Sequence, residues 1–367
     1  MDKMADSDSA DVGSIPTGSA RLIAREEVEQ MRYPRNLKIG DSIGICAPSC
    51  GITDEKKIKR LDLAYLQLKE LGYKILETNS VRKEIKGRSA PSEERAKELM
   101  ELLGNPEIGL VLYATGGDFL VEMLDFLDWE KLKSIEPKWT QGYSDITSIS
   151  FLFNTILDVP SIYCQTIKDY AMKPLHKSLT DALNIVQGKL VVQNSFEKYE
   201  IKNENESPIA TYNLTEKVEW KNLNGEEEIR MRGRSMGGCL DCIKCFFGTK
   251  YDKINEYINK YKNDGIIWFL EVFEMSTPEV FRVLWQMKNC GYFDNCSGII
   301  FGRPLFVRND YDIDFNEAVK DALGELNIPI ICDADIGHVS PQLAIVNGAI
   351  LEITSKNGKG TVKTFFE

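Results

Sequence analysis

Between Arg32 and about Asn184 the chain alternates short β-prone runs with stretches of helical periodicity, and this limits its possible folds more than any other feature. SIGICAPS (42–49) reads as a buried strand ending in a turn. After Thr53, the residues Ile58, Leu61, Tyr65, Leu68 and Leu71 recur at helical spacing, and Gly72 stops the helix. YKILET (73–78) is the next strand, and SEERAKELMELLG the next helix, with Ser92 expected as its N-cap. IGLVLYAT (108–115) leads through Gly116-Gly117 into a predicted helix, FLVEMLDFLDW. KWTQGY (138–143) leads into the helix DITSISFLFNTIL, and SIYCQ (161–165) is a fifth strand. Such alternation predicts βαβ units and a parallel sheet covered on both faces. Ligands of such sheets bind at the carboxyl ends of the strands, here near Ser49, Thr115 and Tyr143.

The remaining chain divides by composition. Residues 1–30 are acidic and lack the basic and apolar regions of an export signal, so a flexible tail is expected there. Residues 31–184 form the α/β unit, 185–228 a polar linker or excursion with room for two short strands, and 229–367 a second unit. In that unit helices are expected over 238–247 and 252–262, followed by the strand GIIWFLEVF (265–273) and the helix VFRVLWQMKNCGYF. The strands SGIIFGRP (297–304) and IPIICDAD (328–335) follow, and a hairpin with Asn-Gly in its turn closes the chain. A net charge of −11 argues against binding a nucleic acid polymer. No apolar run is long enough to span a membrane. Nine cysteines without an export signal fit reduced thiols in the cytoplasm.

Two histidines leave little choice of general base and no His-rich metal site. GYSDIT (142–147) follows a strand and opens a helix, which is the setting of a nucleophile elbow. There Ser144 is either a helix cap or a nucleophile whose oxyanion meets the backbone N–H of Asp145. Gly116-Gly117 also ends a strand, so its N–H groups either close a tight turn or meet an anion; no phosphate loop follows. His338, between Gly337 and Pro341 after a core strand, is either a base or a structural histidine, and His176 in a polar segment is the weaker candidate. The orienting acid is sought among Glu271 and Glu274, at the end of an apolar strand, and Asp333 and Asp335, close to His338. Cys239, Cys242 and Cys245 lie at helical spacing with no fourth ligand nearby, so one face of core packing is expected rather than metal. Cys164, Cys332, Trp268 and Trp285 are also read as core, whereas Trp220, in a polar stretch, is a candidate ligand-stacking residue or interface anchor.

Six motifs, GDSIGICAPS, the Gly pair, GYSDIT, FLE (269–271), IIFGRP (299–304) and IGH (336–338), occur in the order that resembles the LD-carboxypeptidase family of serine peptidases. The resemblance spans about Tyr33 to Phe366, and the segment 233–251 is most similar to the branch containing the microcin C self-immunity carboxypeptidase. It implies an α/β fold with an N-terminal parallel-sheet domain, a smaller β-rich C-terminal domain and the active site between them, usually in a homodimer. It also implies Ser144 as nucleophile, Glu271 as acid, His338 as base and the N–H groups of Gly117 and Asp145 as oxyanion hole, with no cofactor or metal. The implied substrate is a small peptide or peptidyl-nucleotide cut at an amide bond. The alternatives are a murein LD-carboxypeptidase and, in another class, a non-catalytic ligand-binding homologue. The chain departs from the family pattern at Thr115, where many members carry Arg, and at Asp118-Phe119. YCQTIKDYAM (163–172) stands where Gly-Pro is common, and Cys239 where the microcin branch often has Asn, which makes Cys239 a candidate substrate contact.

Overall fold

The computed structural model describes residues 30–202 and 207–367, so the tail expected over 1–30 lies, apart from Gln30, outside the described residues. The alternating runs form a parallel sheet of β1 (Ser42–Cys46), β2 (Lys74–Glu77), β3 (Ile108–Tyr113), β4 (Trp139–Gly142) and β5 (Ser161–Tyr163), in the order 5-4-3-1-2. Successive side chains of a strand face opposite ways, so two cores form. Leu110 and Leu112 pack with Leu61, Ala64 and Leu68 of α1 (Glu55–Glu70). Val111 and Tyr113 pack with Leu99 and Leu102 of α2 (Ser92–Gly104) on the other face. Asp54 caps α1 by accepting from the Lys57 N–H, while in α2 Pro91 takes the cap position and Ser92 is the first helical residue.

The helix expected at 119–129 is replaced by a 3-10 stretch over Leu120–Phe126 and the short α3 (Trp129–Ser134). Here the Leu120 N–H turns to the Asp145 carboxylate and Asp128 starts the new helix. After α4 (Thr147–Leu157) and α5 (Lys177–Val186), the polar stretch supplies β6 (Val192–Asn194) and a small ladder of β7 (Lys198–Tyr199) with β8 (Glu216–Lys217). It also supplies β9 (Lys221–Asn222).

The second sheet is built on β10 (Glu228–Cys239), β11 (Ile266–Glu271), β12 (Cys296–Gly302) and β13 (Ile330–Ala334), all parallel. The helices α6 (Leu240–Ile243), α7 (Ile254–Lys260), α8 (Thr277–Asn289) and α9 (Phe315–Leu323) connect them. Next, β14 (Ile345–Asn347) leaves this unit and pairs antiparallel with β5 on the edge of the first sheet. The hairpin of β15 (Ile350–Lys356) and β16 (Lys359–Phe365) closes on Asn357-Gly358, both at positive φ. The order is 6-16-15-10-11-12-13-9, so β6 and β9 extend its two edges.

A helix beginning at Gly238 is not observed, because β10 continues through Gly237 and Gly238. A Cβ on Gly237 would lie 1.7 Å from the Phe269 carbonyl oxygen, and one on Gly238 2.6 Å from Thr147. The glycines therefore serve the close approach of β11 and α4 rather than a turn. Among the described residues no helix is long and apolar enough to cross a membrane.

Candidate active site

Ser144 follows β4 after a single residue, Tyr143, with φ at 65°, a left-handed conformation that non-glycine residues adopt rarely. Its helical turn, Ser144–Ile146, runs straight into α4. The strained turn has room only because its neighbours are small. A Cβ on Gly116 would stand 2.9 Å from Ser144 Cβ and 3.5 Å from the Asp145 nitrogen. At Gly117, where φ is 151°, a Cβ would strike Ser49 Oγ at 2.4 Å. Gly116 is thus pressed against Ser144, and Gly117 against Ser49 and Cys50.

The Ser144 hydroxyl meets His338 Nε2 at 3.0 Å, and His338 Nδ1 meets Glu271 Oε2 at 2.9 Å. Glu271 ends β11 with no solvent exposure. Its other oxygen accepts from the Tyr163 hydroxyl at 2.6 Å, and that hydroxyl also accepts from the Ser144 N–H at 3.4 Å. Burial, reinforced by the adjacent Glu271 charge, pushes the Tyr163 phenol well above its ordinary pKa and keeps it a donor. Tyr143 and Phe273 hold the imidazole, with ring centroids 5.0 and 4.4 Å away. Gly337, at φ 90°, lets the loop approach, since a Cβ there would lie 2.7 Å from Glu271.

Of the rival acids, Asp335 is a buried anchor of this loop and touches neither His338 nor Ser144. It pairs with Arg303 at 2.5 Å and accepts from the Trp220 indole at 3.0 Å and the Phe196 N–H at 3.1 Å. Asp333 pairs with Lys221 at 2.8 Å. Trp220 is therefore no exposed stacking surface. It is 2% exposed in the second unit's core, packed flat against Gly360, and does not line the cleft at Ser144. His176 caps α5, accepting from the Ser178 N–H at 3.2 Å. Glu274 lies on the cleft rim.

Asp145 accepts at Oδ2 from Ser49 Oγ (2.5 Å) and the Leu120 N–H (3.0 Å); burial raises its pKa to about 6. Capping of α4 by the Ser144 side chain is not observed, as the hydroxyl goes to His338. Cys239 is buried where β10 ends and its N–H donates to Thr147 Oγ1, while Cys242 approaches the Ser144 carbonyl at 3.6 Å. Cys245 is exposed, so the three thiols do not form one core face; α6 is too short to extend it. Trp285 is likewise 52% exposed rather than core. Among the described residues no cluster of His, Cys, Asp and Glu could hold a metal ion.

The cleft has two lobes that meet at Ser144, Gly117 and Phe273, one of about 520 Å³ and one of about 510 Å³. Each is large enough for a small ligand. Tyr163 and the aromatic walls of His338 were not singled out from the sequence. Tyr163 reads as one more core residue of its strand, and only the pairing of Gly142 with Tyr163 across β4 and β5 puts its hydroxyl beside Ser144.

Residues 43–164 match the profile of the LD-carboxypeptidase N-terminal domain, and residues 232–353 that of the LD-carboxypeptidase C-terminal domain. The chain is similar to the microcin C7 self-immunity protein MccF of Escherichia coli, 27% identical over 347 residues that cover 88% of this chain and 92% of that protein. It is similar to the probable murein peptide carboxypeptidase of Bacillus subtilis, 25% identical over 320 residues, 86% of this chain and 89% of that one. The solved structure of MccF in complex with glutamyl sulfamoyl guanosine shares the fold, with a TM-score of 0.75 at 22% identity over 91% of this chain and 98% of that one.

Proposed function

This chain belongs to the LD-carboxypeptidase family and is a serine carboxypeptidase, and on that premise we propose that Ser144, His338 and Glu271 form its catalytic triad. The observation that supports this best is the unbroken line of hydrogen bonds from Ser144 Oγ through both ring nitrogens of His338 to Glu271. His338 Nε2 takes the serine proton as Oγ attacks the amide carbonyl. The oxyanion that forms is held by the N–H groups of Gly117 and Asp145. His338 then gives its proton to the departing amine, and water, activated by the same nitrogen, releases the acyl group. Glu271 orients the ring through His338 Nδ1, and the Tyr163 hydroxyl fixes Glu271 through its second oxygen. The positive φ of Ser144 keeps its hydroxyl standing clear of the helix that follows.

The substrate we favour is a peptidyl-nucleotide or small peptide whose C-terminal aminoacyl amide is hydrolysed, in keeping with the similarity to MccF, whose solved complex holds an aminoacyl sulfamoyl nucleoside. A muropeptide, suggested by the Bacillus subtilis relative, is the second reading. We further propose a cytoplasmic homodimer, with the polar stretch 185–228 between the two units; light scattering of the purified protein tests the dimer. The function is tested by mass spectrometry of aspartyl-adenylate analogues and muropeptides incubated in parallel with wild type and Ser144→Ala. Wild type should cleave one class, and the variant should lose about a million-fold in turnover. Near-native hydrolysis by Ser144→Ala would remove Ser144 from the mechanism.

A further inference from the structure

The two lobes of the cleft differ in a way that assigns the substrate its direction. His338 and Tyr143 line one lobe, together with Thr115 and Lys168, and not the other. A base that returns its proton to the leaving amine must stand on the leaving-group side, so the lobe lined by His338 receives the leaving group. That lobe carries three cations, Lys57, Arg60 and Lys168, against the carboxylates Glu84 and Asp169. The other lobe carries five carboxylates, Asp241 and Glu274 among them, against Lys244 and Arg308.

We propose that Lys168, supported by Arg60 and Lys57, forms a subsite for an anionic group on the leaving half of the substrate, a carboxylate or phosphate close to the scissile nitrogen. This rests on the proposed triad, which fixes the leaving-group side.

Lys168 stands on the turn after β5, and its ammonium donates to Thr115 Oγ1 at 3.3 Å, beside the Gly pair. Burial pulls its pKa below the ordinary lysine value. A half-dried ammonium held by a neutral hydroxyl at the floor of a cleft is well suited to an incoming anion. Arg60 fixes the backbone under it, donating to the Lys168 carbonyl at 3.0 Å and standing 3.7 Å from Asp169. Lys57, one turn earlier on α1 and exposed, sits on the lobe's rim.

Binding separates this proposal from the hydrolysis. Ser144→Ala protein is titrated with D-alanine, AMP and adenosine, followed by NMR chemical shifts, and again with Lys168→Met or Lys168→Arg added. Lys168→Met should weaken D-alanine, AMP or both by roughly tenfold or more while leaving adenosine within twofold, and Lys168→Arg should restore most of the loss. A response of D-alanine alone makes the anion a carboxylate, and a response of AMP alone a phosphate. Equal weakening of AMP and adenosine, no weakening, or failure of both anions to bind the parent protein overturns the subsite. If both anions bind through Lys168 while wild type cleaves nothing, the proposed function fails and the subsite stands. Unchanged melting of Lys168→Arg guards against a folding artefact.

Discussion

The chain has two histidines, and the two places that hold them differ in what surrounds the ring. His338 sits on a loop beyond a core strand, 10% exposed, with each nitrogen turned to a different functional group. His176 begins a helix, spends Nδ1 on Ser178 and packs its ring against Tyr212 and Phe196 at 4.9 and 5.4 Å. Burial pushes the His176 pKa down to about 4, so it stays neutral in the folded protein. Burial and aromatic neighbours are common to both places. What separates them is whether the second nitrogen faces the cleft and the Ser144 hydroxyl.

His338→Ala sharpens this comparison most, with an expected loss of turnover between ten-thousand-fold and a million-fold and an intact fold by circular dichroism. Glu271→Gln follows, with a loss approaching ten-thousand-fold in kcat and little change in KM, because the amide no longer stabilises the imidazolium. Tyr163→Phe removes one donor to Glu271 and one acceptor for the Ser144 N–H, and about a tenfold fall in kcat is expected. His176→Gln should leave kcat/KM within twofold and lower stability by about 1 kcal/mol in urea melts at pH 7, the size of a lost helix cap. Its pH dependence has a definite sign. The unfolded chain protonates this histidine near pH 6.5 and the folded one only near 4, so wild type loses stability as pH falls across that window. In His176→Gln that loss should be shallower, seen as a flatter melting temperature between pH 6.5 and 4. Strong inactivation of His176→Gln with an unchanged melt would break the comparison.

Much of the first sheet was legible because a parallel strand buried on both faces is a continuous apolar run, as in Ile108–Tyr113. The second sheet was less so, since its edge strands β6 and β9 are only three and two residues long and mostly polar, placed by partners far along the chain. The end of β10 was hidden by its glycines, which resemble a turn until Phe269 and Thr147 are seen against them. At the site, residue type and position made Ser144, Glu271 and His338 candidates beside Glu274, Asp333, Asp335 and His176, and the family resemblance singled out the three. Tyr163 does not, because strand adjacency is a property of the sheet. Trp220 misled for a related reason: its local sequence is polar, but its indole is buried under a distant hairpin.

The strand β14, a few residues beyond His338, belongs to the sheet that carries Ser144. Its Asn347 accepts from Asn154 of α4, the helix that follows Ser144, at 2.8 Å and donates to the Gly237 carbonyl of β10 at 3.3 Å. The segment thus stitches the two halves together behind the cleft. Many enzymes admit substrate by swinging two lobes on a hinge. Here such a swing would tear a β-ladder and strip Asn347 of its partners. Opening and closing of the cleft is therefore expected of its rim loops, while Ser144 and His338 stay in register across the β5–β14 ladder.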